Sequence, residues 1–246
     1  MSSPQSFRIG LLQCDSVKAE LQNAHGNYPA MFRAGFAPWI ESGEVELEVF
    51  NLVDGEYPES PSVCNGWITT GSQFSVTDGS PWIHWLAEFT RTVYRTGPGL
   101  VGICFGHQMI AHALGGKVNV SEKGWGIGLA RTEVFRQENW MKPPVADSEL
   151  KLLVSHQEQV TVLPPGAEVL GGNDFCPNAL MTCGPNILGF QGHPEFTPGY
   201  SRDLTGTRVS IIPPATVESA LKSLEVPPDN ATAFRWIVGF LVSRSR

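Results

Sequence analysis

Cys104 stands where an apolar run, Gly99 to Ile103, gives way to a stretch of helical period, with Gly102 two residues before it and Gly106 two residues after. A sharp strand-to-helix turn crowds its central residue against those two neighbours, so both must lack bulk. The spacing is that of a nucleophile elbow carrying sulfur in place of oxygen. A helix N-terminus presents partial positive charge, which favours a thiolate there. A thiol also needs a base. The run Ile187 to Gln191 reads as a strand that ends in Gly192-His193-Pro194-Glu195. In extended chain, residues i and i+2 point to one side. Glu195 can therefore accept from one ring nitrogen of His193 while the other nitrogen faces the thiol, with Pro194 stiffening the link. Taken singly, a cysteine in a βα turn is most often a buried structural residue, and His-Pro-Glu is most often a surface turn. Together, at the carboxyl ends of parallel strands where such sheets place their sites, they point to a cysteine nucleophile served by a histidine base.

The elements that must hold these residues alternate between strands and helices, the pattern of an α/β protein with a parallel sheet. Residues 7–14 form a near-continuous apolar run, as a strand buried on both faces requires. Residues 28–40 have helical spacing, residues 45–49 alternate as a strand, and residues 66–70 form a further strand followed by a polar loop at 71–80. Ser80 and Pro81 suit the start of a helix whose apolar stripe runs through Trp82, Ile83, Leu86, Phe89 and Val93. A strand at 99–103 leads to a helix at 109–114 that Gly115 and Gly116 can end. Six strands are predicted at 128–135, 150–154, 160–162, 169–172, 179–183 and 187–191, then helices at 215–224 and 229–243.

The chain has 246 residues, 17 Lys plus Arg against 24 Asp plus Glu, and a formal charge of −7. This acidic balance, without a cluster of basic residues, argues against nucleic acid or an anionic membrane surface as partner. No apolar stretch approaches the roughly 18 to 20 residues that span a bilayer. Residues 1–14 lack the parts of a signal peptide, so cytoplasmic residence is the default expectation. Five cysteines, at 14, 64, 104, 176 and 183, show neither a paired framework nor zinc-ligand spacing. No metal or cofactor is expected. His107 and His112 are five apart and do not share a helix face, so each reads as a surface or core histidine.

Gly-Ile-Cys-Phe-Gly-His-Gln at 102–108 and Gln-Gly-His-Pro-Glu at 191–195 resemble the two signatures of class I glutamine amidotransferase domains. The resemblance runs from residue 7 to about 197, leaving 198–246 as a C-terminal helical extension packed on the same domain. It implies a flavodoxin-like three-layer domain with a mostly parallel central sheet, a smaller antiparallel region and C-terminal helices. It further implies a catalytic triad of Cys104, His193 and Glu195 that opens the side-chain amide of glutamine through a γ-glutamyl thioester. The oxyanion donors it implies are the backbone N–H groups of Phe105 and Gly71, although Thr70 and Ser72 flank Gly71 where the family often has Gly and Pro. Gln108, Ser155 and His156 occupy positions matching substrate contacts. The wording of the signatures resembles stand-alone relatives of the GMP synthase amidotransferase domain and the γ-glutamyl peptidases of plants. Glutamine or another γ-glutamyl compound is thus the expected substrate, and a separate ammonia-accepting synthase a possible partner, since 246 residues leave no room for a fused one.

Overall fold

The computed structural model describes residues 6–244, and all counts below refer to these. Strand β1 (Phe7–Gln13) is followed by three short helices, α1 (Ala19–His25), α2 (Tyr28–Gly35) and α3 (Ala37–Glu41), and by β2 (Val45–Asn51) and β3 (Gly66–Thr69). Helix α4 (Pro81–Thr96) leads to β4 (Gly99–Ile103) and α5 (Phe105–Ala113). Seven strands follow: β5 (Lys117–Val120), β6 (Gly126–Val134), β7 (Glu149–His156), β8 (Glu158–Val162), β9 (Ala167–Gly172), β10 (Leu180–Cys183) and β11 (Ile187–Phe190). The chain closes with α6 (Pro198–Gly206), α7 (Pro214–Ser223) and α8 (Asn230–Arg244).

Nine strands form one sheet in the order β2-β1-β3-β4-β11-β10-β9-β6-β7. The first five run parallel, and β10, β9, β6 and β7 continue the sheet antiparallel. The antiparallel strands therefore extend the main sheet, and only β5 and β8 stand apart as a small two-stranded sheet. Each face of the sheet has its own apolar cluster. Trp67, Trp82, Phe89 and Phe105 anchor the one containing α4 and α5, and Phe32, Phe36, Phe234 and Phe240 anchor the one containing α2 and α8. β4 is buried along its whole length between β3 and β11, which explains its unbroken apolar run.

Where the elements differ from the sequence reading, local chemistry explains it. The expected helix over 28–40 is two helices that meet at Phe36, because Pro38 lacks an N–H and can sit only in the first turn of a new helix. Helix α5 begins at Phe105, not 109, since Gly106, His107 and Gln108 look like loop residues yet are buried in its first turn. Helices α1 and α6 and strand β5 carry few apolar residues, so periodicity passes over them.

The elbow glycines answer to contact. A Cβ on Gly102 would collide with the backbone of Gly106, and one on Gly106 would collide with Thr69 Oγ1, which itself accepts from the Ile103 N–H at 3.2 Å. A Cβ on Gly206, by contrast, would meet nothing within 4 Å. Gly102→Ala should therefore cost about 2 to 3 kcal/mol or more in urea unfolding, since backbone must move. Gly206→Ala, in the last turn of α6, should be neutral or stabilising by a few tenths. Equal effects of the two substitutions would show that the close approach at the elbow does not constrain the fold.

Candidate active site

Cys104 joins β4 to α5 with φ 48° and ψ −95°, a left-handed backbone that a non-glycine residue rarely adopts. Such a conformation costs about 1 to 3 kcal/mol and persists only where its surroundings impose it. Here the Cys104 N–H donates to the Phe190 carbonyl at 2.7 Å, and the Cys104 carbonyl accepts from the Gln108 N–H at 3.0 Å. One bond ties the residue to the neighbouring strand and the other starts the helix.

β11 runs parallel to β4 with Gly189 opposite Gly102 and Phe190 opposite Ile103, so the chain beyond Phe190 passes beside Cys104. His193 donates its backbone N–H to Leu153 of β7 at 2.8 Å, and its ring stacks on Phe196 with centroids 3.8 Å apart. His193 Nδ1 lies 2.7 Å from Glu195 Oε1. Cys104, His193 and Glu195 are 5%, 3% and 5% exposed, so their electrostatics act with little screening. Burial by itself would lower the basicity of His193. The charges of Glu195 and Cys104 and hydrogen bonds to both outweigh it, and the imidazolium is raised to about 10. The same burial without a carboxylate partner lowers His107 and His156 to about 4. His107 is thus a core residue under β11, while His112 is exposed.

Gly71 also reaches the site: a Cβ there would lie 2.6 Å from His193 Cε1, so only glycine fits. Thr70 Oγ1 accepts from the Cys14 N–H at 2.9 Å and donates to the Gly71 carbonyl at 2.8 Å, which fixes the loop where a Gly-Gly-Pro pattern is absent. Phe105 packs its ring on Trp82 and leaves its backbone at the helix start. Gln108, which on sequence alone is as compatible with solvent as with substrate, is buried and donates from Nε2 to the Glu158 carbonyl at 2.7 Å and to Gln191 Oε1 at 3.3 Å. His156 donates from Nδ1 to the same carbonyl at 2.9 Å, and Ser155 Oγ accepts from Arg208.

The cleft forks at Cys104. The larger arm, about 260 Å³, holds Gln108, Ser155, His156 and Glu158. The smaller, about 40 Å³, holds His193, Tyr28, Tyr200, Lys18 and Asp15. Ser72, Gln73, Ser155 and Arg208 border both. A hollow of about 400 Å³ lies behind Gln191 and His156 and does not include Cys104 in its lining. All eight residues singled out in the sequence come to this corner. Gln191 and Arg208 were not foreseen. Gln191 had a signal, its spacing of two from His193, whereas Arg208 lies in a stretch without pattern. Among the described residues, no group of three or more His, Cys, Asp or Glu is placed to hold a metal ion, and no helix is long and apolar enough to cross a membrane.

The family model for class-I glutamine amidotransferases matches residues 78–204. A glutamine amidotransferase-like protein of Schizosaccharomyces pombe is 32% identical, covering 96% of this chain and 99% of its own. Gamma-glutamyl peptidase 4 of Arabidopsis thaliana is 31% identical over 83% of this chain and 79% of its own. A glutamine amidotransferase crystal structure from Thermotoga maritima superposes with a TM-score of 0.69 at 16% identity, covering 97% of both chains.

The two depressed histidines set an acid limit on stability. Their folded-state values near 4 lie below the unfolded value of 6.5, so the unfolded chain takes up more protons as pH falls through that window. Stability should therefore be held above about pH 6.5 and lost towards pH 4, by about 3 kcal/mol for His107 alone. Urea titrations of His107→Gln should show a flatter acid limb than the parent protein. An unchanged slope would mean that His107 is protonated within the fold.

Proposed function

The chain belongs to the class-I glutamine amidotransferase family, and from that premise we propose that it hydrolyses the γ-amide of glutamine through a thioester on Cys104. The observation that carries this reading is the buried His193–Glu195 pair at 2.7 Å beside a cysteine on a strained elbow. The Cys104 thiolate attacks the carbonyl carbon of the side-chain amide, forming a C–S bond while the carbonyl π electrons move onto oxygen. In this reading the backbone N–H groups of Phe105 and Gly71 receive that oxyanion. As the intermediate collapses, the C–N bond breaks and the His193 imidazolium gives its proton to the departing nitrogen. A water molecule then adds to the thioester with His193 as base, and glutamate leaves. Gln108, Ser155 and His156, in the larger arm, hold the glutamyl part. In this reading residues 7–197 carry the chemistry, and from the segment that follows, Tyr200, Leu204 and Arg208 line the smaller arm.

The size of the smaller arm favours ammonia as leaving group. Only the arm containing His193 can receive a nitrogen protonated by that ring, and about 40 Å³ suits a molecule the size of water or ammonia. A second reading, cleavage of γ-glutamyl peptides, is supported by the similarity to gamma-glutamyl peptidase 4 and by Lys18 and Arg208, whose charges at this arm suit a leaving group bearing a carboxylate. A third has the chain serve as a subunit that turns over glutamine only with a separate ammonia-accepting synthase.

Incubation of the purified protein with glutamine and, separately, with a γ-glutamyl dipeptide distinguishes these readings. Release of ammonia from glutamine, abolished in Cys104→Ala, is the expected result. Dipeptide cleavage without glutamine turnover would transfer the assignment to the peptidase, and inactivity on both until a partner is supplied would favour the subunit. Within the triad, Glu195→Gln should reduce kcat by about 10⁴-fold and Cys104→Ala by about 10⁶-fold, since an orienting group costs less to lose than the nucleophile.

A further inference from the structure

Gln191 is 1% exposed, and its Nε2 lies 3.5 Å from the sulfur of Cys104. Which end of a glutamine amide faces a sulfur is decided by the partners at its other end, and here they decide it. The Glu158 carbonyl can only accept, so the group of Gln108 at 2.7 Å from it must be its NH₂. That nitrogen is also 3.3 Å from Gln191, so the atom of Gln191 that it meets must be the carbonyl oxygen. The remaining end of Gln191, the NH₂, therefore points at Sγ. His156, donating from Nδ1 to the same Glu158 carbonyl at 2.9 Å, holds this anchor in place. The result is a hydrogen-bonded chain, anchored on the β8 carbonyl as acceptor, in which the Gln108 amide donates to Gln191 and the Gln191 amide donates to the sulfur of Cys104.

We infer that Gln191 is a catalytic hydrogen-bond donor to the Cys104 sulfur, stabilising it as thiolate before attack and as leaving thiolate when the thioester is hydrolysed, with Gln108 as the residue that orients it. This rests on Cys104 being the nucleophile of the proposed hydrolysis. A donor aimed at sulfur serves the anion more than the neutral thiol, because hydrogen bonds to a charged acceptor are the stronger kind, and the buried setting magnifies the difference. The inference also gives Gln108 a role in the free protein, before any substrate enters the larger arm.

The charged and titratable groups around the sulfur are His193 and Glu195 beyond β11, Tyr28 on α2, Tyr200 on α6, Cys176 in the turn before β10, His156 of β7 and Glu158 of β8 in the larger arm, and Asp15, Lys18 and Arg208 at the cleft rim. The test leaves all of them in place except His193, in one control. Alkylation of Cys104 by iodoacetamide is followed by mass spectrometry from about pH 4 to 10, on folded protein verified by circular dichroism. Gln191→Met removes the donor and keeps the length, and the midpoint of the alkylation profile should rise by about one pH unit, a tenfold fall in thiolate below it. Gln191→Glu, which places an acceptor against the sulfur, should raise it further. Gln108→Met, which touches nothing at the sulfur but frees the Gln191 amide to turn, should give an intermediate rise, and it supplies the answer if the substitutions at 191 do not fold. Midpoints that coincide with the parent protein in every folded variant would overturn the inference. His193→Gln separates the two ideas. A midpoint moved by His193→Gln but not by changes at 191 or 108 removes the donor and spares the triad. A midpoint moved by none of them removes both.

Discussion

Everything at the candidate site depends on one backbone conformation, the left-handed Cys104 between β4 and α5. With φ at 48° the chain turns so sharply that residues 102 and 106 come into van der Waals contact, and Thr69 fills the space beside Gly106. The turn lifts the side chain out of the sheet edge and sets it against the continuation of β11. It is an expensive arrangement for a residue with a Cβ, and it is held by a sheet in which both neighbours of β4 are also buried. The Phe190 carbonyl that receives the Cys104 N–H is the same strand end from which Gln191 and His193 depart. A single hydrogen bond thus registers Cys104, His193 and Gln191 against each other.

The second organising effect is the competition between burial and charge. Five cysteines are buried and none is paired in a disulfide. For Cys14, Cys64, Cys176 and Cys183 burial dominates and pushes the thiols upward, to about 11 for Cys183 and about 12 for Cys64 and Cys176. These four remain protonated and inert. The histidines divide in the same manner. His107 and His156 have no carboxylate partner and stay neutral, whereas His193 meets a carboxylate on one side and a sulfur on the other and holds its proton. Equal burial has opposite consequences because a charge at 2.7 Å in a poorly screened site outweighs the cost of desolvation.

The elbow and the His-x-Glu segment were legible in the sequence because each is a local pattern: small residues at plus and minus two, and an extended i, i+2 pair. The parallel half of the sheet was legible for a similar reason, since strands buried on both faces read as unbroken apolar runs. What escaped were features whose cause is tertiary. His107 and Gln108 are polar residues in the first turn of α5, and nothing local says that one is sealed under β11 and the other bonded to β8. The antiparallel strands were foreseen, but not that they continue the main sheet, because pairing partners are not encoded in periodicity. Arg208 reaches the cleft only because α6 folds back beside it.

That return path explains why the C-terminal segment matters for chemistry whose signature residues end at 195. Phe196 carries the ring on which His193 stacks, and its carbonyl accepts from Asn230 Nδ2 at the start of α8 at 2.7 Å. Asp229, one residue earlier, exchanges backbone and side-chain hydrogen bonds with Lys151 of β7, the strand whose Leu153 holds the His193 backbone. α8 is therefore fastened to both supports of His193. Tyr200, Leu204 and Arg208, from α6 and the turn after it, then form one side of the small arm beside His193. In the proposed hydrolysis the signature residues set which bond is attacked, and the segment that follows them sets how firmly His193 is held and how much can leave.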